Sequence, residues 1–538
     1  MNGADAIIKC LEEENVKYVF GYPGVAICPF YNSILSSDIK TVLVRTEQSA
    51  AHAASGLART TGEVGVCAVT SGPGATNLIT GIATAFADSI PLVCITGQVN
   101  SSLLGSDVFQ EADITGAVES FVKYSYLVRN VNDIPRIMKE AFHIASTGRK
   151  GPVLIDIPID VQNATIKNYK YPDSLSMRTY KPTVKGNYGQ LKKLVNALEK
   201  AKKPIICVGG GISLSGANDE LLKFIEKNNI PVVSTMMGIG AVATKHPLYF
   251  GMVGNNGKPY ANKAMNESDT LVMVGARVAD RAINSPDIVM SNKVLIHIDV
   301  DPAEIGKNCG PTIPIVGDAK AIFEDLNKEE FKTDTEGWIK ELNQYKTELE
   351  IKRNPDKNFT DPEYFIKTIS DKMDENAIYV ADVGQNQIWS CSFHEVKKGK
   401  FLTSGGMGTM GYSIPAAMGA NLADSKRQVI AVCGDGSFQM SMCELATIKQ
   451  ENVPVKIVVL KNNFLGMVRE YQHYTYKDNY SVVNLNDYPN LCAIAKAYDM
   501  EYVKIANNDD VLSGIDKLLK TDGPCICEVL VNPLDLVK

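Results

Sequence analysis

The chain has no apolar run near the roughly 20 residues that cross a bilayer; its longest are strand-sized and broken by Gly, Pro or Asp. The sequence therefore argues against a membrane span. Basic residues are not in excess. The 55 Lys and Arg face 61 Asp and Glu, a net charge of −6, which leaves no electrostatic footprint for nucleic acid or an anionic membrane surface. The implied partner is a small molecule. The N-terminus, MNGADAIIKCLEEENVKYVF, lacks the basic start and apolar block of a signal peptide and reads as an amphipathic helix, which points to a cytoplasmic protein. Twelve cysteines show no CxxC spacing, so neither a zinc site nor a redox pair is indicated. Cys67, Cys94, Cys207 and Cys433 lie inside apolar runs, and Cys525 and Cys527 alternate along a strand. All read as small core residues in a reducing compartment. No low-complexity segment interrupts the chain.

What is present is apolar mass in regular order. With 538 residues, 45% of them hydrophobic, three or four domains with full cores are the prior. Residues 1–165 alternate helical segments with apolar strands at Tyr18–Phe20, Val64–Val69, Pro91–Thr96 and Pro152–Ile157. Such runs predict a doubly wound α/β domain whose parallel sheet is covered on both faces, with ligands gathering at the strand ends. Three loops stand there: Gly21–Gly24, Ser71–Asn77 and Gly97-Gln98. Between the first two, a strand from Thr41 runs to Glu47 and a helix follows from Ser49. Taken alone, Glu47 is an acid placed favourably near a helix N-terminus.

A polar connector, 163–188, leads to a middle domain at 189–327, with strands at Pro204–Val208, Pro231–Thr235, Thr270–Val274 and Val294–Asp299. Gly209, Gly210 and Gly211 follow the first of these, as a tight turn or as a close approach to a nucleotide phosphate. Arg277 and Arg281 follow the third, as solvated charges or as planar forks for phosphate or carboxylate. A second connector, 327–360, is rich in Lys and Glu and predicts a surface helix, with Trp338 on its amphipathic face. The third domain, 360–538, has a strand at Ala377–Val380 before Gly384-Gln385-Asn386-Gln387, a glycine-rich stretch at 404–411, and a last strand at Cys525–Val531. The first and third domains repeat one order of strand, glycine loop and helix, a hint of duplication.

The stretch 427–467 organises the third domain. Its apolar strand Val429–Cys433 breaks at Gly434-Asp435-Gly436, a helix is predicted from Ser437 through Ile448 to Val453-Pro454, and a second strand, Lys456–Leu460, delivers Asn462 and Asn463 to the same sheet edge. An acid at one strand end and an amide at the next offer oxygen ligands to a hard cation, while helix amides after Gly436 face an anion. Magnesium with a diphosphate answers that description. GDG alone fits equally a turn in which Asp435 caps a helix. GDGSF followed at this distance by an Asn pair resembles the thiamine diphosphate binding motif.

Over nearly its full length the chain resembles the catalytic subunits of the acetohydroxyacid (acetolactate) synthase family. The resemblance is carried by Gly21–Gly24, Arg45–Gln48, Thr70–Asn77, Ile95–Gln98, Asp107–Glu111, Gly151–Pro158, His297–Lys307 and the GDGSF stretch with its Asn pair. It implies three doubly wound parallel-sheet domains, binding in turn the pyrimidine, FAD and the diphosphate. It also implies a homodimer or homotetramer with the cofactor shared between subunits, and allows a small regulatory subunit. Carried over by residue, Asp435, Asn462 and the main-chain oxygen of Phe464 would hold Mg2+. Gly384, Gln385, Asn386, Gly436, Ser437, Gly466 and Met467 would surround the diphosphate. Gly408 would take the 4′-amino group, Met410 would wedge the cofactor, and Glu47 would meet N1′ of the aminopyrimidine. Phe109 and Gln110 would face the reacting carbon. For FAD, structural in this family, the matching positions are Arg149, Gly209, Gly210, Gly211, Thr235, Gly251–Gly254, Arg277, Arg281, Asp299, Val300, Asp318 and Ala319.

The departures from the family pattern gather where a second substrate would sit. Val25 stands for Gly, Ile159 for Lys and Tyr471 for Trp, while Arg277, which would receive the acceptor carboxylate, is kept. The Gly251-Met-Val-Gly-Asn-Asn stretch lacks the usual His, and the chain stops at Lys538, short of the tail that covers the site in many relatives. The activity implied is decarboxylation of pyruvate and transfer of its two-carbon unit to a second 2-keto acid, giving 2-acetolactate. Val25, Ile159 and Tyr471 motivate a sister carboligase with another aldehyde or ketone acceptor. Against a non-catalytic nucleotide-binding protein stand Glu47, Asp435 and Asn462, which a binding module does not need.

Overall fold

The computed structural model describes residues 1–279, 281–283, 293–351 and 354–537. Its strands form three six-stranded sheets in which every pairing is parallel. The first contains β1 (Tyr18–Tyr22), β2 (Lys40–Leu43), β3 (Gly65–Val69), β4 (Leu92–Gln98), β5 (Tyr124–Leu127) and β6 (Pro152–Pro158), in the order β2-β1-β3-β4-β6-β5. The second contains β7 (Pro204–Val208), β8 (Val232–Ser234), β9 (Tyr249–Met252), β10 (Thr270–Val274), β11 (Val294–Asp299) and β12 (Ile313–Val316), in the order β12-β11-β10-β7-β8-β9. The third contains β13 (Ile378–Ala381), β14 (Lys400–Thr403), β15 (Val429–Gly434), β16 (Lys456–Lys461), β17 (Glu501–Ile505) and β18 (Cys525–Leu530), in the order β14-β13-β15-β16-β18-β17. Counted from its own first strand, the third sheet repeats the order of the first, 2-1-3-4-6-5, whereas the middle sheet reads 3-2-1-4-5-6. The latter is the dinucleotide-binding order.

Because side chains alternate along a strand, each sheet feeds two cores. In β7 and β10, Ile206, Val208, Val272 and Val274 enter one cluster, while Ile205, Cys207, Leu271 and Met273 enter another. The first and third sheets share a core. A single cluster runs from Phe20, Cys67 and Leu92 through the helices Glu47–Thr61 and Ser413–Ala423 to Val380, Ala431 and Ile457. Those two helices meet at glycines. A Cβ on Gly56 would lie 1.9 Å from Ala416 O, and one on Gly419 would lie 1.9 Å from Ala53 O, so only hydrogen permits the approach.

Two expectations need correction. The helix after Gly436 is not continuous: Asp435–Ser441 gives way to a 3-10 turn at Met442–Glu444 before Leu445–Gln450, and the break turns the fully buried Glu444 toward the first domain. The second connector is not merely surface. Helix Glu336–Glu348 buries Trp338, Leu342 and Tyr345 against the middle sheet, and Trp338 Nε1 donates to Pro204 O at 3.1 Å. Its Lys and Glu residues had masked an apolar face. Of the thiols, Cys67, Cys94, Cys207, Cys433, Cys525 and Cys527 are buried as read, but Cys28 and Cys492 are exposed. Among the described residues no helix is long and apolar enough to cross a membrane.

Candidate active site

The C-terminal ends of β13, β15 and β16 bring the cradle together. Asp435, the first residue after β15, is 2% exposed. Its Oδ2 accepts from Asn463 N at 2.7 Å and its Oδ1 from Gly436 N at 3.1 Å. Burial pushes its carboxyl up to about 6 despite those bonds and the charge of Lys461, because ionisation in a poorly solvated place is costly. Beside it, Asn462 donates through Nδ2 to Gln385 Oε1 at 2.9 Å and accepts through Oδ1 from Phe464 N at 2.9 Å. Gly466 lets the chain pass, since a Cβ there would lie 2.1 Å from Gln385 Oε1. The helices Gln385–Phe393 and Asp435–Ser441 both begin at this point behind glycine caps, Gly384 and Gly434. Among the described residues the buried Oδ1 atoms of Asn386 and Asn463 have no hydrogen-bond partner. Among the described residues no three His, Cys, Asp and Glu side chains converge, so a cation here would take one carboxylate with amide and main-chain oxygens, a hard-ion donor set. The residues present fit a divalent cation with an anion.

Met410 reaches the same place: a Cβ on Gly436 would lie 3.5 Å from Met410 Cε. The loop that carries Met410, with Gly408 at φ 68° and Gly411 at φ 85°, is fixed by an acid that motif reading passed over. Asp382, fully buried, accepts from Val383 N, Gly411 N and Ser413 N at 2.8, 2.9 and 2.7 Å. An acid closing an apolar strand was the signal available for it.

A second group forms beyond the ends of β2, β3 and β4. Glu47 opens its helix, and Asn77 Nδ2 donates to Glu47 Oε2 at 3.0 Å. Gly72 presses on Gln110, whose own φ is 60°. The 107–112 segment is held from below: Asp156 in β6 accepts from Thr96 Oγ1 at 2.7 Å and Gln98 Nε2 at 2.9 Å, and Gln98 Nε2 also donates to Ala112 O at 2.8 Å. Burial pushes the Asp156 carboxyl up to about 7. Glu444 of the third domain grips the turn before Glu47, accepting from Arg45 N and Thr46 N at 2.9 and 3.1 Å. Among the described residues no hydrogen bond or ion pair joins Glu47 to the Asp435 cradle in this one chain. Phe109 stands 87% exposed.

The third group lines a cavity of about 1710 Å³ between the domains, well beyond an ordinary small-molecule pocket. Its walls include Arg149, Gly210, Gly211, Thr235, Met252, Val253, Arg277, Arg281, Asp299, Val300, Asp318 and Ala319, with Gly384, Gly408 and Met467 at the border with the cradle. Three positions already have work of their own. Gly209 packs against Gly275 O, 2.2 Å from where its Cβ would stand. Arg149 is paired with Glu304 at 2.9 Å and Asp301 at 3.3 Å. Asp318 caps the helix Ala319–Leu326, accepting from Lys320 N at 3.0 Å. Burial pushes the Asp299 carboxyl up to about 6. The residues that would meet a second substrate are spread over the domains: Val25 and Ile159 on the first, Arg277 on the middle, Tyr471 on the third. Val25 and Tyr471 are exposed. Lys538 lies outside the described residues.

Three family profiles match the chain: the thiamine pyrophosphate enzyme N-terminal TPP binding domain over residues 1–117, the central domain over 191–326 and the C-terminal TPP binding domain over 382–529. A probable acetolactate synthase large subunit of Methanocaldococcus jannaschii is 42% identical, over 99% of this chain and 93% of its own length. An acetolactate synthase large subunit of Haemophilus influenzae is 42% identical over 96% of this chain and 92% of its own. One from Lactococcus lactis is 41% identical over 99% and 92%.

Proposed function

The chain belongs to the thiamine pyrophosphate enzymes, among the acetolactate synthase large subunits, and from that membership we propose that it decarboxylates pyruvate and joins the two-carbon unit to a second pyruvate, giving 2-acetolactate. The observation that carries this reading is the buried Asp435 beside Asn462, in a chain that also sets a carboxylate, Glu47, at the head of a helix. Asp435, Asn462 and the main-chain oxygen of Phe464 would hold Mg2+. Gly384, Gln385, Asn386, Ser437 and Met467 would surround the diphosphate, while the unpartnered Oδ1 of Asn386, an acceptor, would be completed by a cation or an N–H donor of the ligand rather than by a phosphate oxygen. Thiamine diphosphate, when bound, supplies the electron sink for loss of carbon dioxide.

The chain's own residues do the rest. Glu47 holds or releases a proton at its carboxylate, with Asn77 fixing its orientation from 3.0 Å. Gln110 and Phe109 border the substrate, and Arg277 receives the carboxylate of the acceptor. FAD is read into the large cavity, whose middle-domain wall has the dinucleotide strand order and brings Gly210 and Gly211 to the start of a helix. The working unit is read as at least a dimer in the cytoplasm. Among the described residues Glu47 makes no hydrogen bond or ion pair with its own cradle, and Val25, Phe109, Tyr471, Tyr474 and Val482 are exposed apolar side chains of the kind a second copy covers to exclude water.

The test is incubation with thiamine diphosphate, Mg2+, FAD and pyruvate, with acetolactate and carbon dioxide quantified together. Equimolar acetolactate and carbon dioxide are expected; carbon dioxide with little acetolactate would overturn pyruvate as acceptor. Glu47→Gln should lower kcat at least ~100-fold with the unfolding midpoint unchanged, and full activity in that variant would remove Glu47 from the proton path.

A further inference from the structure

Asp88 is an acid in a place that disfavours one. It is the last residue of the helix Pro73–Asp88, where the helix dipole opposes a negative charge, and it is only 6% exposed. What holds it there is the loop of the third domain. Gly406 N donates to Asp88 Oδ1 at 2.6 Å and Gly405 N donates to Oδ2 at 3.3 Å. Burial still raises its carboxyl above the ordinary value, against the charges of Arg59 and Arg277 and these two amide hydrogen bonds.

The loop so held is the same 404–411 segment that carries Gly408 and Met410. Glycines at 405, 406 and 408 give it little stiffness of its own. It is pinched between domains: a Cβ on Gly405 would lie 2.3 Å from Met237 Sδ of the middle domain, and one on Gly406 would lie 2.8 Å from Ala87 O of the first. A third tie joins Thr84 and Thr409 through their hydroxyls at 2.7 Å. Asp88, Arg277, Met237, Gly405 and Gly406 all face the large cavity. The loop is therefore a common wall, with the cavity on one side and Met410 reaching the cradle on the other.

We propose that Asp88 is a positioning residue linking the two sites, fixing this wall so that filling the cavity with FAD tightens the cradle for thiamine diphosphate. The inference rests on the cofactor reading above. A ligand in the cavity restricts the Gly405-Gly406 turn from two sides, through Met237 and through Asp88, and a second ligand then meets a loop already ordered, which lowers the entropic cost of its own binding.

The test is calorimetric titration of the cofactor-free chain with thiamine diphosphate and Mg2+, with and without saturating FAD. FAD should tighten thiamine diphosphate by ~10-fold, and thiamine diphosphate should tighten FAD by the same factor. In Asp88→Asn, which keeps the size but sets an amide N–H against a backbone N–H, the ratio should fall within about twofold. Met237→Ala, which frees Gly405 from the cavity side, should lower the ratio too and serves if Asp88→Asn fails to fold. Equal affinities with and without FAD in the parent chain would overturn the inference, as would a ratio that survives in Asp88→Asn or, where that variant does not fold, in Met237→Ala. Failure of the parent chain to bind thiamine diphosphate at all would sink the cofactor reading with it, whereas binding without coupling sinks this inference alone.

Discussion

At the scale of single residues, Asp435 is the most exposed to test by pH. Its carboxyl, near 3.8 in an unfolded chain, is raised to about 6 in the fold, so the cofactor-free fold prefers the proton. That preference costs nothing below the unfolded value and grows until pH passes about 6, where the ionised acid destabilises the fold by its full shift. A cation needs the ionised form. Binding of Mg2+ with thiamine diphosphate should therefore weaken as pH falls below 6 and release a proton near pH 5, detectable as buffer-dependent heat in calorimetry. Asp435→Asn should abolish the proton release together with cation binding. The neighbours divide by how far the sequence shows them. Asp435 and Asn462 stand in one motif at a fixed spacing, so their convergence was legible. Asp382 left one local mark, an acid closing an apolar strand, but its grip on Gly411 and Ser413 was hidden. Asp88, Asp156 and Glu444 were not legible, because each acts on backbone amides or side chains far away in sequence, and nothing local marks them as struts rather than solvated charges.

Elements show the same division. Strands buried on both faces declare themselves as apolar runs, and their positions followed from sequence. The strands passed over, β5, β9, β12, β14 and β17, all lie at sheet edges. An edge strand pairs on one side only and tolerates residues such as the Pro of IPIV or the Lys of EYVKI. The contact between helices Glu47–Thr61 and Ser413–Ala423 was equally hidden, since Gly56 and Gly419 look like helix weaknesses until the two backbones are seen to touch. Gly56→Ala would drive a methyl group into Ala416 O, and the overpacking should cost about 3 kcal/mol. The expected result is a lower unfolding midpoint with proportionate loss of thiamine diphosphate binding; an unchanged midpoint would show that the helices can separate freely.

For the whole molecule, the lack, among the described residues, of any hydrogen bond or ion pair between Glu47 and the Asp435 cradle makes a prediction that mutants of single residues cannot. Glu47→Gln and Asp435→Asn should each be inactive alone. If each site takes Glu47 from one copy and the cradle from another, an equal mixture refolded together should recover roughly a quarter of parent activity, because half of the dimers are mixed and each of those has one intact site of two. No recovery would place both groups in the same copy.

The core shared by the first and third sheets also bears on how the chain comes off the ribosome. Ala50, Ala53 and Leu57 belong to a cluster whose other half includes Ile414 and Met418, more than 350 residues later in sequence. During synthesis from the N-terminus the first domain must wait with that helix face uncovered until most of the polypeptide has emerged. The nascent first domain thus holds an apolar face in water for most of the time its chain is being made, which is where aggregation during synthesis should begin.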